Sequence, residues 1–312
     1  MAVVAVGLSY KSAPLELLER SAIPEEHSAE AVRALLERPP IAEAVVLATC
    51  NRVEAYAAGE DADAAVDAIR SVFVERCRVD ARALDEGFYT LVGDAAVSHL
   101  FRVAAGLDSM IVGETEILGQ VRRGFRVGAA GAELSPLFQQ ALRVGKRVRT
   151  ETDLPREGGS FVSAAAAIAR GAGRRIVVVG AGRVGAGVAR ELADRDVVVV
   201  SRSPAPDRVP LEALETELAR ADAAVFCTSS PELLADYAMI ERARPSLVVD
   251  IAVPRDVDPL AAQIPGVRLV GLEEVAAAAG DEGGSTATAQ AIVEEELVMR
   301  SDRLERRAQL RR

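Results

Sequence analysis

Residues 174–185 read RRIVVVGAGRVG, and this stretch decides the fold of the second half of the chain. Residues 176–179 form a continuous apolar run, typical of a strand buried on both faces of a parallel sheet. The glycines follow directly and open a helical pattern that runs to Leu192. There the first glycine permits a tight turn, the second lets backbone approach a pyrophosphate, and the third allows close packing of helix on strand. The pattern predicts a dinucleotide-binding loop, the alternative being a Gly-rich turn that binds no nucleotide. The predicted contacts are Gly180, Ala181, Gly182, Arg183, Val184 and Gly185.

The residues at the end of the next predicted strand indicate whether the site binds NAD or NADP. An NAD site usually places Asp or Glu there, where it accepts hydrogen bonds from the ribose hydroxyls. Here Val200 is followed by Ser201, Arg202 and Ser203, which carry no carboxylate and can donate to a 2′-phosphate. We therefore expect NADPH as the cofactor; the alternative interpretation of Arg202 is a solvated loop residue.

Strand character recurs along the rest of the second half, with helical spacers between most of the runs, at residues 197–200, 223–227, 247–251 and 268–270. Alternating strands and helices are typical of a doubly wound α/β domain. The first half differs, because residues 3–7, 44–48 and 53–58 read as strands while residues 94–149 are mostly helical. That order favours a small α+β domain.

The expected fold class is α/β, with three parts. A polar segment rich in Gly and Pro, residues 150–160, separates the two halves. The tail has an amphipathic helical pattern, in which Val293, Leu297 and Leu304 share a face. We predict an N-terminal α+β catalytic domain at 1–155, a doubly wound Rossmann NADP-binding domain at 156–285 and a C-terminal linking helix at 286–312.

Composition limits the class of protein. The N-terminus lacks the pattern of a secretory signal, and no apolar run is long enough to cross a membrane, so we expect a cytoplasmic protein without membrane contact. The three cysteines lie far apart, which argues against a disulfide framework or a metal site. The net charge of −10 argues against indiscriminate nucleic-acid binding. Two basic clusters remain, namely Arg122, Arg123 and Arg126, and then Arg143, Lys146, Arg147 and Arg149. Each cluster is either a solvated helix face or a local anion-binding face.

Cys50 stands at the end of a predicted strand, in the segment ATCNRVE. A lone cysteine there is more often a small buried hydrophobic residue than a nucleophile. A thiolate needs a nearby positive charge, and Arg52 can supply part of it. The residues alone leave both interpretations open.

Seven segments together resemble the glutamyl-tRNA reductase family, and they occur in that family's order. They are GLSYKSAP (7–14), TCNR with Glu54 and Tyr56 (49–56), HLFRVA (99–104), GLDSM to ILGQ (106–120), KRVRTET (146–152), GAGRVG (180–185) and DIAVPRDV (250–257). The resemblance implies that glutamyl-tRNA and NADPH give glutamate-1-semialdehyde and free tRNA, the entry step to tetrapyrroles.

The resemblance also implies roles for individual residues. Cys50 is then the nucleophile that forms a thioester, and His99 polarises the carbonyl or handles a proton; taken alone, His99 is more often a structural hydrogen-bonding residue. Arg52 is expected to pair with the side-chain carboxylate of the substrate and Glu114 with its α-ammonium. The predicted substrate-binding set is Thr49, Asn51, Arg52, Ser109, Glu114, Thr115, Glu116 and Gln120.

The sequence departs from the family pattern at a few places. Tyr10 replaces a smaller or imidazole side chain, and Glu116 stands where Gln is usual. Family members continue into a helical dimerisation domain, whereas this sequence stops at Arg312. The usual homodimer is therefore called into question, although pairing of two copies through Val293, Leu297 and Leu304 stays open. The resemblance further implies glutamate-1-semialdehyde aminomutase as a partner.

Two other functions are compatible with parts of the chain. One is a shikimate-dehydrogenase-like oxidoreductase in which Cys50 is incidental, which the second half fits and the first half does not. The other is a non-catalytic paralogue that binds tRNA or a partner. Loss of activity on thiol alkylation argues against the first, and single turnover with charged tRNA and NADPH separates all three.

Overall fold

The computed structural model of the protein describes residues 1–49, 51–77, 82, 86–109, 112–113, 116–154, 159–203, 205–228, 230, 232–279 and 284–310. The chain forms two compact units. The first unit contains Met1–Gly158 together with Glu282–Arg312, and the second contains Gly159–Asp281. The C-terminal segment thus belongs to the same unit as the N-terminal half.

A four-stranded antiparallel sheet organises the first unit. Its order is β2-β3-β1-β4, and β3 pairs with β1 so that Gly7 lies opposite Glu54 and Ser9 opposite Arg52. The strands are β1 Ala2–Ser9, β2 Ile41–Ala48, β3 Arg52–Gly59 and β4 Tyr89–Val92.

Helices cover both faces of this sheet, because alternate side chains of each strand are apolar toward opposite sides. Ala57 packs with the helices of one face, and Tyr56 with those of the other. The first group is α1 Leu15–Ser21, α2 Ser28–Leu36 and α3 Ala62–Cys77. The second is α4 Asp94–Ala105, α5 Glu116–Val127 and α6 Leu134–Glu151, joined by α12 Gly284–Leu310. A short 3-10 turn, Glu25–His27, precedes α2.

The long helix α12 packs on the first unit through its N-terminal half. Ala289, Ile292 and Val293 are buried in the core, and Leu297 packs against it. Arg147 of α6 also bridges α12, with Nη1 at 2.8 Å from Glu296 Oε1. Val293 and Leu297, which the sequence left open as a surface for pairing two copies, therefore pack within the chain. Leu304 is 48% exposed.

The second unit is built on a six-stranded parallel sheet of order β10-β9-β8-β5-β6-β7. Its strands are β5 Arg175–Val179, β6 Asp196–Ser201, β7 Val209–Pro210, β8 Ala223–Phe226, β9 Leu247–Asp250 and β10 Arg268–Gly271. Helices lie on both faces, as the apolar strands require. They are α7 Gly159–Arg170, α8 Arg183–Glu191, α9 Leu214–Leu218, α10 Tyr237–Ala243 and α11 Leu272–Ala279, with 3-10 turns at Leu211–Ala213 and Pro259–Gln263.

The predicted fold class is confirmed: an antiparallel α+β unit is combined with a parallel doubly wound one. The sequence pattern did not predict β4, α1 or the two-residue edge strand β7. Within the described part of the chain, no helix combines the length and apolar character needed to span a membrane.

Candidate active site and nucleotide loop

Strand β3 carries a buried polar stripe. Arg52, Glu54 and Tyr56 occupy alternate positions and therefore share one face of the sheet. Their relative exposures are 1%, 0% and 0%. Gly7 makes room for this stripe, since a Cβ at Gly7 would lie 2.4 Å from Glu54 Cβ and 2.5 Å from the main-chain oxygen of Val53.

Glu54 accepts hydrogen bonds from several side chains. Tyr56 donates to Oε1 at 2.9 Å, and Tyr89 donates to Oε2. His99 Nε2 lies 2.8 Å from Oε2, and Arg52 Nη1 lies 3.4 Å from the same oxygen. Burial alone would raise the pKa of Glu54, but the charges of His99 and Arg52 and the hydrogen bonds from His99 and Tyr89 lower it to about 2. Glu54 is therefore a carboxylate near neutral pH.

Two tyrosines complete the surroundings of His99. Burial, followed by the charge of Glu54, raises the pKa of both Tyr56 and Tyr89 well above the usual value. Both phenols thus stay protonated and act as donors. The Tyr89 ring meets the His99 ring edge-on at 5.2 Å, and Tyr89 OH lies 3.3 Å from His99 Nε2.

Asp108 lies on the Nδ1 side of the His99 ring. It lies on the turn that follows α4, where Gly106 has a φ of 79°. Its Oδ2 is 3.6 Å from both Arg52 Nη1 and His99 Nδ1, while Lys11 bonds to Oδ1. Burial would raise the pKa of Asp108, but the hydrogen bond from Lys11 and the charge of Arg52 lower it.

We name these residues the Glu54 cluster: Arg52, Glu54, Tyr56, Tyr89, His99 and Asp108. Sequence reasoning identified Arg52 and His99 as site residues but not the other four. The available signal was the stripe of Arg52, Glu54 and Tyr56 at strand period in an otherwise apolar segment. Tyr89 lies on the strand that the sequence pattern did not predict.

The segment that joins β2 to β3 turns tightly beside the cluster. Thr49 N donates to the main-chain oxygen of Arg52 at 2.8 Å, and Asn51 N donates to Thr49 Oγ1 at 3.1 Å. Tyr10 N donates to the main-chain oxygen of Asn51 at 3.1 Å, which ties the segment to the end of β1. The predicted nucleophile Cys50 lies outside the described residues.

Three predicted substrate-binding residues hold buried polar atoms without a hydrogen-bond partner among the described residues: Asn51 Oδ1, Ser109 Oγ and Gln120 Oε1. Buried polar atoms are normally paired, so three such atoms in the predicted set call for an outside partner. Glu116 is exposed in the first turn of α5. Glu114 and Thr115 lie outside the described residues. Arg52, predicted to pair with the substrate, already pairs with Glu54 and Asp108.

The glycine loop of the second unit has the geometry that a dinucleotide needs. Gly180 has a φ of 113°, and its N–H donates to the main-chain oxygen of Val200 at 2.9 Å. A Cβ at Gly185 would lie 2.0 Å from the main-chain oxygen of Gly180, so only glycine allows this packing. A Cβ at Gly182 would meet nothing within 4 Å, which leaves open space at the start of α8. Backbone N–H groups at a helix start can bind a pyrophosphate, so the loop fits the cofactor.

The turn after β6 presents Arg202 and Ser203 as exposed side chains. Ser201 is buried; its hydroxyl donates to the main-chain oxygen of Ser203 at 3.3 Å and accepts from Ser203 N at 3.1 Å. Of the three predicted 2′-phosphate contacts, Ser201 thus shapes the turn, and the other two are available at the surface.

A second buried carboxylate, Asp250, lies at the carboxyl end of β9. Its oxygens accept from the N–H groups of Ala252, Asp256 and Val257 at 3.1, 3.0 and 2.9 Å. Burial raises its pKa to about 7, and the charge of Asp256 adds to the rise while the three N–H groups oppose it.

Cys227 follows β8 and donates to the main-chain oxygen of Val179 at 3.1 Å. Burial, with Asp256 and Asp250 nearby, raises the pKa of its thiol to about 12, so this cysteine stays protonated. The side chain of Cys77 lies outside the described residues.

The predicted basic clusters lie on the packed helices α5 and α6. Arg122, Arg123 and Arg126 are exposed, as are Arg143 and Lys146. Two other members are used internally: Arg147 binds Glu151, Glu295 and Glu296, and Arg149 donates to the main-chain oxygens of Ala104 and Gly145.

Comparisons with known proteins cover both units. A family model described as the N-terminal domain of glutamyl-tRNAGlu reductase matches residues 6–152, and one described as shikimate / quinate 5-dehydrogenase matches residues 163–278. The chain is 41% identical over 333 residues to a glutamyl-tRNA reductase of Kineococcus radiotolerans, across 95% of this chain and 74% of that protein. It is 40% identical over 302 residues to glutamyl-tRNA reductase 1 of a Nocardioides species, across 88% of this chain and 70% of that one.

Among solved structures, the glutamyl-tRNA reductase from Methanopyrus kandleri matches with a TM-score of 0.53 and 31% identity. That match covers 99% of this chain and 82% of the other. The likeness therefore extends over both units and is not limited to the nucleotide-binding half.

Proposed function

Because the chain belongs to the glutamyl-tRNA reductase family, we propose that it reduces the glutamyl group of glutamyl-tRNA to glutamate-1-semialdehyde with NADPH, the first step of tetrapyrrole synthesis. The observation that carries the proposal is the Glu54 cluster, a buried set of charges and donors whose member Arg52 follows Cys50 by two positions in the sequence. The resemblance drawn from the motifs is confirmed by the relatives. The shikimate-dehydrogenase-like alternative is not favoured, since that match is limited to residues 163–278.

The covalent chemistry assigned to Cys50 divides a difficult reduction into two steps. The Cys50 thiolate attacks the glutamyl carbonyl, a carbon–sulfur bond forms, and the ester bond to tRNA breaks. The ribose oxygen of tRNA leaves and takes a proton, and a thioester remains on the enzyme. Transfer of a hydride, which NADPH would supply, forms a carbon–hydrogen bond at the thioester carbonyl carbon. The carbon–sulfur bond then breaks, so the aldehyde leaves and the thiolate is regenerated.

Recognition of the glutamyl group is assigned to the polar atoms around the Glu54 cluster. Asn51 Oδ1 can only accept, so it suits the α-ammonium, whereas Ser109 Oγ can donate to a carboxylate or carbonyl oxygen. Their burial without partners among the described residues supports a ligand-binding role. The buried Arg52 contributes positive charge. The proposed set is completed by Thr49, Gln120, Glu114, Thr115 and Glu116.

The second unit is assigned the cofactor. Gly180 to Gly185 would hold the pyrophosphate, and Arg202 with Ser203 would bind the 2′-phosphate. When bound there, NADPH supplies the hydride. Arg202→Ala tests the choice of cofactor: the dissociation constant for NADPH should rise roughly tenfold to a hundredfold while that for NADH hardly changes, because one charge-assisted contact is lost. Equal weakening of both would contradict the assignment.

The tRNA is assigned to the exposed basic residues of α5 and α6. Five exposed cations lie on these two packed helices, and one of them, Arg123, also pairs with Glu25 at 3.6 Å. Binding should weaken steeply with salt, since contacts to phosphates release counterions. Affinity that is insensitive to salt would contradict this assignment. An aminomutase partner stays a prediction from the family resemblance, and the homodimer stays in question as the sequence left it.

The decisive experiment is a single-turnover assay with glutamyl-tRNA and NADPH. The wild-type chain should release tRNA and form aldehyde, and Cys50→Ser should slow aldehyde formation by about a thousandfold or more, because the nucleophile is lost. Cys77→Ala is the matched control, as Cys77 ends α3 and is not among the proposed site residues. Tetrapyrrole precursor formation that survives Cys50→Ser would refute the mechanism, and an inactive wild-type chain that still binds tRNA would support the non-catalytic paralogue.

A further inference from the structure

Asp108 occupies a place that no motif argument assigned to it. Its carboxylate faces side chains from three separate elements: Lys11 after β1, Arg52 on β3 and His99 on α4. Its main-chain oxygen also accepts a hydrogen bond from Arg52 Nη2. We propose that Asp108 is a positioning residue, which orients the His99 ring through Nδ1 and holds the guanidinium of Arg52, two positions after Cys50 in the sequence.

The orientation of His99 follows from what faces each ring nitrogen. Nε2 lies 2.8 Å from a Glu54 oxygen, and Glu54 is ionised, so Nε2 carries a hydrogen. Tyr89 OH already donates to Glu54 and occupies the same side. Nδ1 faces Asp108 at 3.6 Å, and this is the nitrogen left to exchange a proton. Asp108 therefore controls the working side of the ring, while Glu54, Tyr56 and Tyr89 hold the other side.

Asp108 also compensates the positive charges of the site. Glu54 and Asp108 are the anions of the Glu54 cluster, and Arg52 and, when protonated, His99 are its cations. Lys11, which lies outside the cluster, adds a positive charge next to Asp108. Arg52 is 1% exposed, so its charge depends on these two carboxylates for compensation. Lys11 differs, because its side chain is 48% exposed and water can solvate it. Loss of the Asp108 charge would therefore disturb Arg52 and His99 more than Lys11.

The environment of the His99 ring can be measured by NMR without the reaction. The chain contains two histidines, and His27 is exposed, so the His27→Gln variant assigns the ring nitrogen resonances of His99 in a ¹⁵N-histidine NMR spectrum. Asp108→Asn keeps the shape but removes the charge. It should move the Nδ1 resonance of His99 more than the Nε2 resonance, because Nδ1 faces Asp108 while Nε2 faces Glu54. Glu75→Gln on α3, which breaks an exposed pair with Arg38, is the matched control and should leave both resonances unchanged.

A kinetic test rests on the proposed function. In Asp108→Asn, kcat should fall roughly tenfold to a hundredfold while KM changes less, and Asp108→Glu should recover part of kcat. A purely structural role would instead lower the melting temperature and leave kcat of the folded variant near the wild-type value. The proposal is overturned if the His99 Nδ1 resonance in Asp108→Asn matches the wild type, or if folded Asp108→Asn turns over normally. An inactive wild-type chain whose Nδ1 resonance still moves in Asp108→Asn would contradict the proposed function and leave the positioning role intact.

Discussion

Glu54 in the first unit and Asp250 in the second are both buried carboxylates, yet their pKa values move in opposite directions. The pKa of Glu54 is lowered to about 2, whereas that of Asp250 is raised to about 7. The difference lies in the partners. Glu54 faces Arg52 and His99, while Asp250 is held by three main-chain N–H groups and lies near a second carboxylate, Asp256. Burial acts alike on both, so compensating cations decide the outcome.

The contrast also separates two uses of a buried acid. In the second unit the Asp250 side chain shapes the loop that follows β9, because its acceptors satisfy main-chain donors at residues 252, 256 and 257. In the first unit the Glu54 carboxylate binds only side-chain groups, and two of these, Arg52 and His99, are proposed site residues. A stable anion that fixes side chains is suited to a catalytic site, where orientation of protonatable groups matters.

The largest effect is expected for Glu54→Gln, which removes the anion between Arg52 and His99. Breaking a buried pair by removing one partner costs about 3–5 kcal/mol, because an uncompensated charge stays in the interior. Urea unfolding measured by circular dichroism checks this loss. Glu75→Gln, at an exposed pair, should change the unfolding free energy by under about 0.5 kcal/mol. Equal effects of the two variants would break the comparison.

The two carboxylates should also differ in how stability depends on pH. Asp250 has a folded pKa of about 7 against an ordinary value of 3.8. The folded state therefore holds the proton longer, and the stability of the wild type relative to Asp250→Asn should fall as pH rises from about 4 to about 7, by a few kcal/mol at most. For Glu54 the sign is reversed: its contribution is complete above about pH 4.5 and is lost as pH falls toward 2.

Unfolding free energies measured between about pH 2 and pH 8 test both statements. Amide hydrogen exchange on β8 and β9 assigns the Asp250 effect to the second unit. A wild-type minus Asp250→Asn difference that is flat across this range, or that rises with pH, would show that the main-chain N–H groups outweigh burial at Asp250.

Gly7→Ala sharpens the comparison from the neighbouring strand. A Cβ there would lie 2.4 Å from Glu54 Cβ, and neither backbone can retreat without loss of the β1–β3 register. Overpacking of this kind costs about 1–3 kcal/mol. Thermal unfolding measures the cost, and Gly93→Ala is a useful reference, as its φ of 59° strains a side chain that meets nothing within 4 Å. A stable Gly7→Ala variant with wild-type exchange rates on β3 would contradict the close packing.

The smallest effect is expected for Tyr89→Phe. The variant removes a donor to Glu54 but leaves Arg52, His99 and Tyr56 in place, so the loss should be about 1.5 kcal/mol, as for one hydrogen bond to a charged group. Urea unfolding again provides the measurement, with Tyr237→Phe at an exposed pair as control. A loss as large as that of Glu54→Gln would mean that the tyrosine, rather than the cations, holds the carboxylate.

Much of the fold could be predicted, since its signals are local. The apolar runs of β5, β8 and β9 and the glycine loop lie in consecutive residues, and the described strands occur there. Strand β4 was missed because it is short and its four residues alternate between partly buried and exposed. Helix α12 was predicted, but the surface that it packs on was not, because an apolar helix face does not identify the surface that covers it.

By itself the sequence determined the fold class, the glycine loop and the family, because each depends on residues that are adjacent or spaced at a regular period. Only the tertiary structure decided that Arg52 is buried between carboxylates and that His99 lies between Glu54 and Asp108. These contacts join residues 56 and 45 positions apart in the chain. A folded sheet and its covering helix bring them together, and burial then gives each charge its strength.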